Sequence, residues 1–225
     1  MSVCFYAVCA ARPRRLARLR GAGGESLRAI AHGGLVAIVG ETAKPLELDA
    51  PTLRAYERTV RALATAVDAI LPVRFGTVMP DAAAVRTVLG ERAASLAAAL
   101  TLVARREQMT LRVFGEPRKP AWPPPASDAN SGRRYLKARR ATLRRARSVP
   151  EIAWLRPVLK KYVRAERTER HSRPPLLASV HHLIPRGRAA EYVAAIEQAS
   201  RTPRRVRVVA SGPWPPWAFA AEDVA

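Results

Sequence analysis

The sequence predicts an α+β protein of two units. Three observations carry this reading. Short apolar runs with strand character alternate with segments of helical spacing. A Pro-rich stretch then interrupts the chain, and a second set of alternating elements follows it. At 225 residues and 48 % hydrophobic, the chain is able to bury one large core or two small ones.

The elements follow in order. Residues 3–10 are apolar and aromatic, as a buried strand requires. Residues 14–31 carry leucines and Ile30 at mixed helical spacing and are expected as a helix broken at Gly21-Ala22-Gly23-Gly24. Gly33-Gly34 turns the chain into a second strand at 35–39. Asp49 with Pro51 announces a helix that runs through Ile70, with Leu53, Tyr56, Val60, Leu63 and Val67 along one face. A third strand is expected over 73–78, a helix from Pro80-Asp81 to Val103, and a fourth strand over 109–114, left open between the first and second sheets. This succession draws as a modified ferredoxin-like βαββαβ sandwich with an extra helix between its second and third strands.

Residues 116–131 contain five prolines and no aliphatic side chain larger than alanine, which marks a linker. The domains are therefore expected at 1–116 and 132–225, joined by a linker at 117–131. The C-terminal domain is expected to be a smaller α+β unit: two basic helices at 133–147 and 152–170, a strand at 176–184, a helix at 188–199, a last strand at 206–210, and a Trp/Pro-rich tail. No repeat of fixed period is visible.

The formal net charge is +21, of which residues 1–116 contribute +6 and residues 117–225 contribute +15. Such an excess suits a polyanion, an anionic membrane or an acidic protein. Only five of the 39 basic residues are lysines, however, and Arg, Ala and Pro rise together in GC-rich coding sequences whatever the protein does. The basic helix at 133–145 has one aromatic, Tyr135, and no nucleic-acid-binding signature, so specific nucleic-acid binding is not expected. The cysteines Cys4 and Cys9 are five apart on one strand, which places them on opposite faces and argues for unpaired thiols in a reducing compartment. With no signal-peptide pattern and no run of eighteen apolar residues, neither export nor a membrane span is expected.

Candidate chemistry is sparse. Gly21–Gly24 lacks the spacing of a phosphate loop and is expected as a turn. His181 and His182 are neighbours on a strand and face opposite ways, so they do not share a metal. Glu166 and Glu169 sit among arginines, as local helical ion pairs would. Ser26, Ser95 and Ser179 lack nucleophile-elbow glycines. No catalytic set, cofactor site or metal site is predicted, and no enzyme.

Three segments carry a resemblance. Leu71-Pro72-Val73-Arg74-Phe75-Gly76-Thr77-Val78 resembles the central motif of the gas vesicle protein F/L family. Gly132-Arg133-Arg134-Tyr135-Leu136 is similar to that family's glycine-then-Tyr-Leu helix start. Gly212-Pro213-Trp214-Pro215-Pro216-Trp217 is similar to its terminal Gly-Pro-Trp-Pro-Pro-aromatic segment. Gly34 to Val39 also fits its glycine-led second strand. The resemblance implies a minor structural or assembly protein of gas vesicles, located at the vesicle or in the cytoplasm. Its implied partners are the hydrophobic shell protein (gas vesicle protein A) and other accessory proteins. Its implied role is to limit shell-protein aggregation and help nucleate the vesicle. The family often has a histidine in the helix before the central motif, where this chain has Tyr56 and Glu57. The reading that rests on charge alone is a basic nucleic-acid- or polyanion-binding protein.

On a strand at 73–78, Phe75 packs under the helices with Val73 and Thr77. Arg74 reaches a carboxylate or a helix C-terminus from the other face, and Gly76 leaves it room. Pro72, Arg74, Phe75 and Gly76 are therefore read as architecture. Gly212, Pro213, Trp214, Pro215, Pro216 and Trp217 are the candidate partner contacts. They either anchor the tail on the domain through a tryptophan or present it as an exposed polyproline segment.

Overall fold

A computed structural model describes residues 2–43, 46–116, 149–202 and 204–220. The linker expected at 117–131 and the helix expected at 133–147, with its Gly132 to Leu136 start, lie outside them. The chain is α+β. It divides into two compact units, Met1–Gln108 with Pro213–Ala225, and Met109–Gly212. This differs from the expected division at 117–131: the strand around 109–114 opens the second unit, and the tail belongs to the first.

The first unit is built on β1 (Ser2–Cys9), β2 (Leu27–His32), β3 (Leu35–Thr42), α1 (Ala50–Ala66), β4 (Ile70–Pro72), β5 (Val78–Met79), α2 (Ala82–Glu91) and α3 (Ala93–Val103). The sheet runs β2-β3-β1-β4, with β5 also on β1, and its pairings are antiparallel. That is the ferredoxin-like strand order, reached with only a 3-10 turn (Leu16–Arg18) between the first two strands.

Three expectations for this unit are corrected. The helix at 14–31 is replaced by that turn and by β2. Its apolar spacing is ambiguous, and long-range pairing from Leu27↔Gly40 to His32↔Leu35 decides the outcome. The hairpin closes on Gly33 and Gly34, whose φ values of 56° and 78° are those a two-residue mirror-image turn demands. The strand at 73–78 is instead two short pieces, β4 and β5, on the same edge of β1. Residues 73–77 leave the ladder between them, tied by Val73 N to Tyr6 O (2.9 Å) and Phe5 N to Thr77 O (2.9 Å). Finally, Cys4 and Cys9 do not face opposite ways. A register shift between Phe5 and Ala7 re-phases β1, and both thiols enter one buried cluster with Tyr6, Tyr56, Val60 and Leu63.

Helix α1 forms where its stripe predicts. Asp49 caps it by accepting from Thr52 N at 2.7 Å, and Val60 and Leu63 are fully buried beneath it. Burying each of those side chains contributes about 1.5–3 kcal/mol. The helix stops at Ala66, and Ile70 belongs to β4. The next helix is capped by Asp81, which accepts from Ala84 N at 2.8 Å, and is split into α2 and α3 at Arg92.

The second unit is built on β6 (Arg106–Phe114), a 3-10 segment (Pro150–Leu155), α4 (Arg156–Leu159), β7 (Ala165–Arg170), β8 (Leu176–Pro185), α5 (Ala189–Ala199) and β9 (Arg207–Trp214), the first three residues of β6 and the last two of β9 being counted with the first unit. Its sheet runs β7-β8-β6-β9. Counted within the unit, this is again the order second, third, first, fourth. The helix expected at 152–170 shrinks to α4. Pro150 opens the 3-10 segment and Pro157 lies in the first turn of α4, and Ala165–Arg170 pairs with β8 from Ala165↔Leu183 to Arg170↔Ala178. Glu166 and Glu169 therefore stand on an edge strand, where charged side chains discourage pairing with other chains. No helix among the described residues is long and apolar enough to cross a membrane.

Candidate functional site

Tyr56 is the hub of the first unit. It sits on the buried stripe of α1 at 2 % exposure, and its hydroxyl points at Val73 O (2.8 Å) and Phe5 O (3.2 Å). Burial pushes its phenol well above the usual range, so it stays a neutral donor. Its ring stacks on Tyr6 at 4.9 Å, receives the edge of Phe75 at 5.2 Å and lies 6.3 Å from Trp217. Ring contacts of this kind contribute beyond their buried area.

Behind the stack, Tyr6 donates to the Glu25 carboxylate and accepts from Ala22 N at 2.7 Å. Gly23 N donates to the other carboxylate oxygen at 2.9 Å, and Gly21 N to the Glu25 carbonyl at 2.8 Å. The Gly21-Ala22-Gly23-Gly24 segment is thus a cradle for the chain's own carboxylate. A side chain at Gly21 would run into that carboxylate, and one at Gly40 would stand 2.6 Å from Glu25 Cγ. Burial, and then the Glu25 hydrogen bond, drive the Tyr6 phenol upward.

Phe75 reaches the stack from the loop between β4 and β5. Thr77 N returns to Arg74 O at 3.3 Å, and Gly76 at φ 83° supplies the third residue of the turn, where a positive φ is needed. The turn places Phe75 half-buried and leaves Arg74 exposed. The expectation that Arg74 reaches a buried partner is therefore corrected: 73–77 is not a strand and has no second face to bury it.

The tail completes the wall. Pro215 and Pro216 are buried, Phe219 is 2 % exposed, and Ala218 N donates to the side chain of buried Gln108 at 2.8 Å. Trp214 lies under the Arg61 guanidinium, 4.2 Å from its ring centroid. Arg61 is itself held by Glu57 Oε1 through Nε (3.0 Å) and Nη2 (2.8 Å). Leu53, Arg54, Tyr56, Glu57, Phe75, Trp214 and Trp217 line an open groove of ≈ 380 Å³.

Of the residues singled out in the sequence, Phe75, Trp214 and Trp217 meet at this groove. Pro72 is buried in β4 and Pro215 and Pro216 are buried in the tail, whereas Arg74, Gly76, Gly212 and Pro213 are exposed. Sequence reasoning missed Leu53, Tyr56 and Glu57 as the opposite wall. Their i, i+3, i+4 spacing was legible, but their distant partners were not.

The histidine pair divides between the faces of β8. His182, 3 % exposed, bonds Tyr192 through Nδ1 (2.7 Å) and Glu166 through Nε2 (3.0 Å). That hydrogen bond is the main reason the Glu166 carboxyl lies below its usual range. His181 meets Thr110 Oγ1 at 3.1 Å, and burial lowers its basicity. Among the described residues no group of three or more His, Cys, Asp or Glu side chains is placed to hold a metal ion.

The model of the family described as gas vesicle synthesis protein GvpL/GvpF matches residues 3–221. The chain belongs to the GvpL/GvpF family. Gas vesicle protein L of Streptomyces sp. (strain CB03234) is 30 % identical over 240 residues, spanning 91 % of this chain and 88 % of that protein. Gas vesicle protein F of the same strain is 28 % identical over 210 residues, spanning 87 % and 88 %. The crystal structure of GvpF from Microcystis aeruginosa superposes with a TM-score of 0.73 at 16 % identity, covering 98 % of this chain and 99 % of that one. GvpF from Anabaena sp. PCC7120 gives 0.72 at 14 %, covering 98 % and 96 %. At these identities the GvpF structures attest the fold, and the family rests on the sequence match.

Proposed function

We propose that this GvpL/GvpF family member acts at the gas vesicle as an assembly factor that binds the hydrophobic shell protein, gas vesicle protein A, limits its aggregation and helps nucleate the vesicle. Family membership supports a role in gas vesicle assembly. The observation that favours direct binding is the convergence of two segments, 71–78 and 212–217, on one open groove of aromatic side chains. An apolar recess open to solvent suits a partner that exposes apolar side chains. Other gas vesicle accessory proteins are further expected partners.

Co-expression of the tagged chain with the shell protein tests this reading. Capture of shell protein in moderate salt, with less light scattering from shell protein alone after mixing, is the expected result. Failure to capture it, or capture abolished by competing RNA, would sink the proposal.

A further inference from the structure

We infer that the groove between α1, the 73–77 turn and the tail is itself the docking surface, and that it takes a partner segment carrying aliphatic side chains flanked by carboxylates. This rests on the shell-protein reading above and names the surface and the chemistry that it would use.

The apolar half of the argument is Leu53. Only Leu48, Leu53 and Val209 are exposed large hydrophobics among the described residues, and Leu53, at 41 %, stands on the lip of the groove. It lies one helical turn from Tyr56 and opposite Phe75, Trp214 and Trp217, so an aliphatic side chain entering there meets leucine on one side and rings on the other. The rings are held in place before any partner arrives. Tyr56 is fixed by two carbonyls, Phe75 by its turn and its edge contact with Tyr56, Trp214 by Arg61, and Trp217 by its packing beside the Tyr56 ring. Pre-organised rings spend little conformational entropy on binding.

The charged half is a line of arginines beside that apolar stripe. Arg54, Arg58 and Arg61 repeat at helical spacing on α1, and Arg74 precedes Phe75 in the turn. Arg61 is occupied by Glu57 and Trp214. Arg54, which lines the groove, and Arg58 and Arg74 are exposed, and their side chains have no ion pair among the described residues. Cations left open around an apolar floor complement carboxylates on the partner and repel a basic one.

The test is capture of co-expressed shell protein by the full chain and by surface variants, each checked for an unchanged melting temperature. Leu53→Asp is expected to lower capture by about tenfold or more, because it sets an unpaired charge in an apolar contact. Leu53→Ala, which keeps helix propensity, lowers it less. Arg54→Glu/Arg74→Glu is expected to lower capture by about fivefold near physiological salt and to lose most of that effect near 0.5 M salt, where the Debye length is only about 4 Å. The matched charge change Arg173→Glu/Arg201→Glu in the second unit leaves capture unchanged. If wild type captures nothing, the shell-protein reading itself fails. If wild type captures but the Leu53 variants capture equally, the groove is not the surface. If only the arginine double variant is silent, the acidic flank is wrong.

Discussion

The cradle around Glu25 predicts a coupling between two residues fifteen positions apart. Gly40 sits in β3 opposite Cys4 and Leu27, and a methyl group there would stand 2.6 Å from Glu25 Cγ. In Gly40→Ala the carboxylate has to leave, and with it go its bonds to Tyr6 and to Gly23 N. Hydrogen bonds to a charged group contribute about 1.5–3 kcal/mol each when buried, and this half-buried carboxylate supports roughly 1–3 kcal/mol for the pair. Gly40→Ala and Glu25→Ala should therefore each destabilise by about 1–3 kcal/mol in urea unfolding. In the Glu25→Ala background the obstacle is gone. There, Gly40→Ala is expected to be neutral or stabilising by about 0.5 kcal/mol, since alanine restricts the unfolded chain. An equal cost of Gly40→Ala in both backgrounds would refute the reasoning, because it would place the clash in the backbone rather than in Glu25.

Other expectations follow from single contacts. Glu166 titrates below its ordinary 4.5 in the folded state, chiefly through its bond to His182, so its stabilisation is present above that value and is lost as the pH falls through the folded one. Glu166→Gln should flatten the fall in urea midpoint between about pH 5 and pH 3, and an unchanged slope would contradict the assignment. Burial raises the Cys4 thiol to about 11 and Cys9 to about 12, so neither should react with a thiol reagent at neutral pH until denaturant is added. Phe219→Ala should cost about 3–5 kcal/mol, read as a lower melting temperature, because this side chain is 2 % exposed in the first unit. A tail dispensable to the fold would show no change.

The elements legible in the sequence are those whose local signal agrees with their tertiary use. Helix α1 shows this best: Asp49, Pro51 and the stripe from Tyr56 to Leu63 fix its start and its buried face before any partner is known. Strands β2 and β7 show the opposite. Leu27–His32 carries Leu, Arg and two Ala, and Ala165–Arg170 carries Ala with two Glu and two Arg, residues that favour helix locally. They become strands only because β3 and β8 offer them backbone partners. The groove was half legible. Residues 71–78 and 212–217 were visible as segments, but no local pattern ties Trp217 to Tyr56, which lies more than a hundred residues earlier in the chain. The Gly21–Gly24 cradle was hidden for a related reason, since its ligand is a side chain of the next residue and not a phosphate.

The segment 71–78 combines two demands that a continuous strand would set against each other. It forms the edge of the first unit's sheet, and a long regular edge invites pairing with other chains. That hazard is acute for a protein proposed to work among aggregation-prone subunits. Breaking the edge into three and two residues, with Pro72 in the first piece and the turn at Gly76 between them, leaves little edge to extend. The same break swings Phe75 out of the ladder and onto Tyr56, where it walls the groove. Restoring a regular strand, for instance by shortening the 73–77 turn, would lengthen the edge and remove the ring in one step. Self-association and loss of the groove should therefore appear together in such a variant. Self-association with an intact groove would separate the two roles.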